Sequence, residues 1–111
     1  MNSAEANKLI DKIIKEVEKN KFSSKLIELL KELRPYALQE NDPLVTRSIR
    51  VSYEFIEATD GFDISLPEEL EIEEEDALGY FTYLCGLWSK SDNKYNRDEI
   101  REIANAMTGA Y

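Results

Sequence analysis

Eleven carboxylates and not one basic residue lie between Glu54 and Asp76. Acids at this density do one of three things. They hold a divalent cation, they dock a cationic partner, or they keep a surface wet. Glu54, Glu57 and Asp60 recur every three residues near the end of an expected helix. Glu68, Glu69, Glu71, Glu73, Glu74, Glu75 and Asp76 follow in the chain.

Magnesium chemistry is the first possibility to test. Small all-helical nucleotide pyrophosphatases hold two metal ions with carboxylates in an E-E-x-x-E spacing on facing helices. The acidic run does not match that spacing, and no Lys or Arg stands near it to take phosphate. A magnesium-dependent nucleotide-processing enzyme is therefore the third-ranked expectation. Calcium fares no better. An EF-hand register begun at Asp92 puts Arg97 where glycine belongs and Ile103 where the bidentate Glu belongs, and one begun at Asp60 puts Phe62 and Ile64 at ligand positions. No metal or other cofactor is expected.

Nucleophilic chemistry is equally thin. The chain has no histidine, which excludes Ser-His-Asp and Cys-His catalysis and histidine-ligated zinc. Its single cysteine, Cys85, lies among Tyr83, Leu84 and Leu87. An apolar setting of that kind makes a core thiol and not a reactive one. No glycine-rich phosphate loop is present. No catalytic residue is assigned, and binding without turnover is the expected role.

The charge distribution points to the kind of partner. Residues 1–50 hold ten Lys/Arg and eight Asp/Glu, a net +2, whereas residues 51–111 hold four and fifteen, a net −11. This asymmetry disfavours nucleic acid and anionic membrane and favours a basic protein. The expected contacts are Glu57, Asp60, Asp63, Glu68, Glu69 and Glu71. Tyr80, Tyr83 or Tyr95, where exposed, would supply the aromatic anchor of a tight interface. Immunity proteins against secreted nucleases and small inhibitor proteins share this size and charge. The likeness stops there, and no motif assigns the chain to such a family. The competing expectation is a structural or regulatory subunit that buries apolar surface of its third and fourth helices in a homodimer.

Five helices must position these residues. The first is expected from about Ser3 to Asn20, with Leu9, Ile10, Ile13, Ile14 and Val17 as its apolar stripe. Ser23 caps the second, with Phe22 stapled onto Ile27, and Pro35 should end or kink it near Arg34, leaving PYALQE (residues 35–40) to continue as a separate turn. Asp42-Pro43 opens the third, which is apolar around most of its circumference and so should be central, with Gly61 as its C-cap. The alternation of Phe62, Ile64, Leu66, Leu70 and Ile72 suggests extended chain, a hairpin, a loop laid on the bundle, or a helical turn from Pro67. The fourth helix should start near Glu73 or Glu74, its first turn favouring negative charge, and run to about Ser89. Its stripe of Gly79, Thr82, Gly86 and Ser89 suggests the close approach of another helix. The fifth should start at Asn96 with Glu99 completing a capping box.

The expected architecture is one all-α domain over residues 1–111, an irregular bundle of about five helices with helices three and four central. No basic n-region leads into an apolar h-region at the N-terminus. The longest uncharged run, Ala77 to Ser89, is short of the roughly 20 residues a membrane helix needs. A cytoplasmic location is expected.

Overall fold

In a computed structural model that describes residues 1–66 and 68–109 (of Glu69, the backbone alone), the chain is all-helical. Helix α1 spans Ala4–Asn20, α2 Ser24–Gln39, α3 Pro43–Thr59, α4 Ala77–Ser89 and α5 Lys94–Thr108. A short 3-10 turn covers Glu68–Leu70, and the described residues contain no strand. Among the described residues, no helix is long and apolar enough to cross a membrane.

Each helix begins on a side chain that accepts a free backbone N–H. Ser3 takes Ala6, Ser23 takes Leu26, Asp42 takes Val45, Asp76 takes Gly79, and Asn93 takes both Tyr95 and Asn96. Such caps are each worth about 0.5–2 kcal/mol relative to alanine. They correct two expected starts. Helix α4 begins at Ala77, leaving Glu73, Glu74 and Glu75 outside its first turn, because Asp76 is the residue that caps. Helix α5 begins at Lys94, two residues earlier than Asn96. Asn93 takes the capping role, the Asn96 amide donates to the Lys90 carbonyl at 2.9 Å, and Glu99 is used elsewhere.

Two expected ends also move. Helix α2 runs through Pro35 to Gln39 because Leu33 and Ala37, on either side of the proline, are both fully packed in the core. That burial overrides the local penalty of a proline in a helix. At the end of α3 the left-handed residue is Asp60 (φ 57°), not Gly61. Aspartate tolerates this conformation better than most residues, and the turn delivers Phe62 into the core two positions later.

The helices close into a ring. Helix α1 packs on α2, α2 on α3, α3 on α5, α5 on α4, and α4 back on α1. Each helix thus has two principal neighbours, and none is central as helices three and four were expected to be. Trp88 of α4 reaches across to α3, where its indole N–H donates to Ser48 Oγ at 2.9 Å with both side chains fully buried. Ser52 Oγ donates to the Ser48 carbonyl at 2.7 Å, so the polar atoms facing the middle of α3 are satisfied. A fork joins the start of α5 to the start of α3. Arg97 holds both Asp42 oxygens, at 2.9 and 3.0 Å, and the Ser91 carbonyl at 3.0 Å. Burial acts to raise the Asp42 carboxyl, but the Arg97 and Val45 hydrogen bonds win and hold it below the usual range. At the C-terminal end of α4, the Met1 ammonium donates to the Trp88 and Ser89 carbonyls at 2.6 and 3.2 Å. A cation there is favoured by the helix dipole.

The glycine stripe of α4 serves no helix contact. Gly79 makes room for the Glu74 and Asp76 carboxylates, which would stand 2.5 and 3.0 Å from a Cβ at that position. Gly86 is exposed, and no atom of the described residues comes within 4 Å of a would-be Cβ. Gly86→Ala should therefore raise the urea midpoint, by about 0.5–1 kcal/mol of added stability, through helix propensity alone. A lowered midpoint would show that something does pack over Gly86 in solution.

Candidate acidic docking surface

The connection from α3 to α4 carries the acidic run, and Phe62 fixes it to the bundle. Phe62 is fully buried. Its ring stacks on Phe22 with centroids 6.3 Å apart and meets Phe55 and Phe81 edge-on at 6.0 and 5.3 Å. Phe81 in turn meets Trp88 edge-on, so the anchor is continuous with the centre of the ring. Ile64, Leu66 and Ile72 pack against the same core and are partly buried. The apolar alternation is thus met by an irregular chain laid on the bundle, with a 3-10 turn in place of a hairpin. Pro67, where a helical turn was expected to begin, lies outside the described residues.

Between the anchors the acids face solvent. Asp60, Asp63, Glu68, Glu71, Glu73, Glu74, Glu75 and Asp76 are all exposed, and the Glu69 side chain is outside the description. Glu71 takes a left-handed backbone (φ 53°) and its N–H closes the 3-10 turn onto the Glu68 carbonyl at 3.0 Å. A non-glycine residue there costs roughly 1–2 kcal/mol. Asp76 is committed to capping α4 at 2.7 Å. Among the described residues, no Lys or Arg forms an ion pair with any of these eight carboxylates. Glu57, one turn before the end of α3, differs: it pairs with Lys31 of α2 at 3.4 Å, both side chains about half exposed.

The three tyrosines fall in different settings. Tyr80 and Tyr83 are half-buried against the core. The Tyr83 hydroxyl donates to the Glu99 carboxylate at 2.7 Å. Tyr95, in the first turn of α5, is 78% exposed. The fold therefore brings together Asp60, Asp63, Glu68 and Glu71 on one tethered segment, draws Glu57 toward α2, and places Tyr95 on a different element.

Other chemistry in the molecule is sparse. Cys85 is fully buried, and burial pushes its thiol far above the ordinary range. Among the described residues, no three Asp, Glu or Cys side chains gather as a metal would need. Sequence reasoning passed over a cleft between α2 and α3 that gathers Arg34, Arg47 and Arg50. Arg47 and Arg50 are legible as one charged stripe, and both are partly buried in the structure, but Arg34 joins them only through packing of the two helices. Comparison of the chain with protein-family models, curated proteins and solved structures finds no match.

Tyr83 reports on how the acidic segment meets α4 and α5. Burial pushes its phenol up to about 12, helped by the Glu99 hydrogen bond and by the charges of Glu99 and Glu74. Below pH ~10, the ordinary tyrosine value, the Tyr83–Glu99 bond contributes fully to stability. That contribution is lost as pH rises through the folded value. A carbon-labelled tyrosine NMR titration should show one ring, absent in Tyr83→Phe, ionising near 12. Ionisation of that ring near 10, as for a free phenol, would mean that the ring is neither buried nor held by Glu99 in solution.

Proposed function

We propose that this is a small protein-binding module, immunity- or inhibitor-like in role, that presents the carboxylate face of residues 57–76 to a basic partner protein. The observation that supports it best is the tethered charge. Asp60, Asp63, Glu68, Glu71, Glu73 and Glu75 stand exposed on a segment pinned at Phe62, with no cation of the described residues paired to them. Like charges held together in this way cost the free chain stability, and a cationic surface would relieve that cost. A face already placed spends less ordering entropy on binding, and its field accelerates encounter. Tyr95, the exposed aromatic among the described residues, lies on α5 and would join only an interface that extends beyond the acidic segment. The setting we propose is the cytoplasm, where a lone free thiol is the ordinary state.

The homo-oligomeric subunit ranks second. Helices α3 and α4 bury Val45, Ile49, Ile56, Phe81, Leu84 and Trp88 within the ring, and Leu44, Phe55, Leu78 and Tyr80 are partly buried against it. Leu38 and Tyr95 are the large hydrophobic residues left exposed among those described, and neither lies on α3 or α4.

The test begins with affinity capture at low salt from the native source, followed by association kinetics with the purified partner. Substituting Asp63→Asn, Glu68→Gln and Glu71→Gln together should slow association about tenfold at low salt, flatten its salt dependence, and leave the thermal melt unchanged or slightly raised. A partner that associates with this variant as fast as with the wild type would show the belt to be a solvated surface only.

A further inference from the structure

A cavity of about 440 Å³ opens between α2 and α3, bounded by Arg34 and Leu38 on one side and Pro43, Thr46, Arg47 and Arg50 on the other. The volume is that of a small-molecule site. The three arginines of residues 1–50 all line it, and every other basic side chain in that half is a lysine. Guanidinium forks match carboxylate and phosphate oxygens two at a time, which lysine does not.

These cations lack the partners that an acidic chain could easily supply. With 23 Asp/Glu against 14 Lys/Arg in the sequence, Arg34 and Arg47 form no ion pair among the described residues, and Arg50 pairs only with Glu54 one turn along its own helix. Arg34 Nε is buried with no hydrogen-bond partner, the one such side-chain donor among the described residues. A buried donor without an acceptor is costly. The acid at the rim, Asp42, is already held by Arg97 and the Val45 amide. Leu38, 52% exposed, and Pro43 add an apolar wall beside the charges.

We infer that this cleft binds a small organic anion, its carboxylate or phosphate head held by Arg34, Arg47 and Arg50 and its apolar body lying on Leu38 and Pro43. An extended polyanion is a poor fit, because the net charge of −9 repels it from the molecule as a whole. A small anion meets only the local field of three guanidiniums. The cleft shares no residue with the acidic face, so the two sites stand or fall separately.

The test is an NMR titration of nitrogen-labelled protein with four probes: naphthyl phosphate, naphthoate, the neutral naphthylmethanol, and inorganic phosphate. The two aromatic anions should shift the amides of Leu38, Asn41, Thr46 and Arg47 saturably. They should bind at least about tenfold more tightly than the alcohol or inorganic phosphate, the scale of one charge-assisted hydrogen bond. Arg47→Gln should weaken both anions by about tenfold, and Arg34→Gln should do the same where its melt shows it folded. Lys25→Gln, on an exposed lysine of α2, should change nothing, and neither should the acidic-face triple substitution. Equal binding of the alcohol and the anions, equal binding of inorganic phosphate, shifts centred on other residues, or unchanged affinity in Arg47→Gln would each overturn the assignment.

Discussion

A chain segment without regular structure surrenders about 1–2 kcal/mol of backbone entropy for every residue it orders, so a long connection stays put only where side chains hold it. Between α3 and α4 that holding falls on Phe62. It is the one fully buried residue among those described in the connection, and it meets three other phenylalanine rings from three different places in the fold: Phe22 before α2, Phe55 on α3 and Phe81 on α4. Ile64, Leu66 and Ile72 are only partly buried and follow its lead. Because Phe81 also meets Trp88, and Trp88 is hydrogen-bonded to Ser48 across the ring, the anchor shares one continuous core with all five helices. The placement of the acidic face is thus a consequence of aromatic packing, which is indifferent to salt, while its proposed binding is governed by charge, which is not.

Charge in this molecule is segregated where it might have been paired. Among the described residues, the carboxylates of the α3–α4 connection form no ion pair, and of the guanidiniums of the α2–α3 cleft only Arg50 has a counter-charge, Glu54 on its own helix. The other ion pair at this border is Lys31–Glu57, whose lysine also lies 5.5 Å over the Tyr53 ring. Both members are about half exposed, and such pairs are worth at most about 1 kcal/mol. By contrast, the Arg97–Asp42 fork is partly buried, bidentate and shared with a helix cap, so it ties α3, α5 and the turn before α5 into one unit. Stabilising pairs are concentrated at this joint, and the surfaces proposed for ligands are left charged and open.

What the sequence discloses about this fold is what depends on near neighbours. Ser23 and the Asp42-Pro43 pair mark helix starts because a cap acts on an amide only two or three residues away. The inward faces of α1 and α5 follow from 3.6-residue periodicity. Tertiary burial decides the rest. Leu33 and Ala37 carry α2 through Pro35, and the need to seat Phe62 fixes the left-handed turn at Asp60 in preference to Gly61. Glu99 leaves the role of a capping acid because the Tyr83 hydroxyl stands opposite it. The small residues of α4 look like a packing stripe from their spacing, yet Gly86 faces open solvent, which no local pattern could reveal.

The two surfaces differ in the same way. The acids of the connection are visible at once from their density, and the alternation of Phe62, Ile64 and Leu66 shows which side of the chain must turn inward. That this side is held by a four-ring aromatic cluster depends on contacts between residues far apart in sequence, Phe22 and Phe81 above all. The arginine cleft is hidden for the same reason, since Arg34 and Arg47 meet only across the α2–α3 interface. The ring closure that creates both surfaces is a property of the whole chain.

Backbone relaxation of nitrogen-labelled wild-type protein tests the central claim most directly, because it asks whether the acidic face is held or free. If Phe62 tethers the segment, the order parameters of Asp63, Ile64, Ile72 and Glu73 should approach the ~0.85 typical of rigid backbone, close to those of the helices. Values below about 0.6 from Asp63 through Glu75 would describe a freely moving acidic loop, and would contradict a docking face set in advance by the fold.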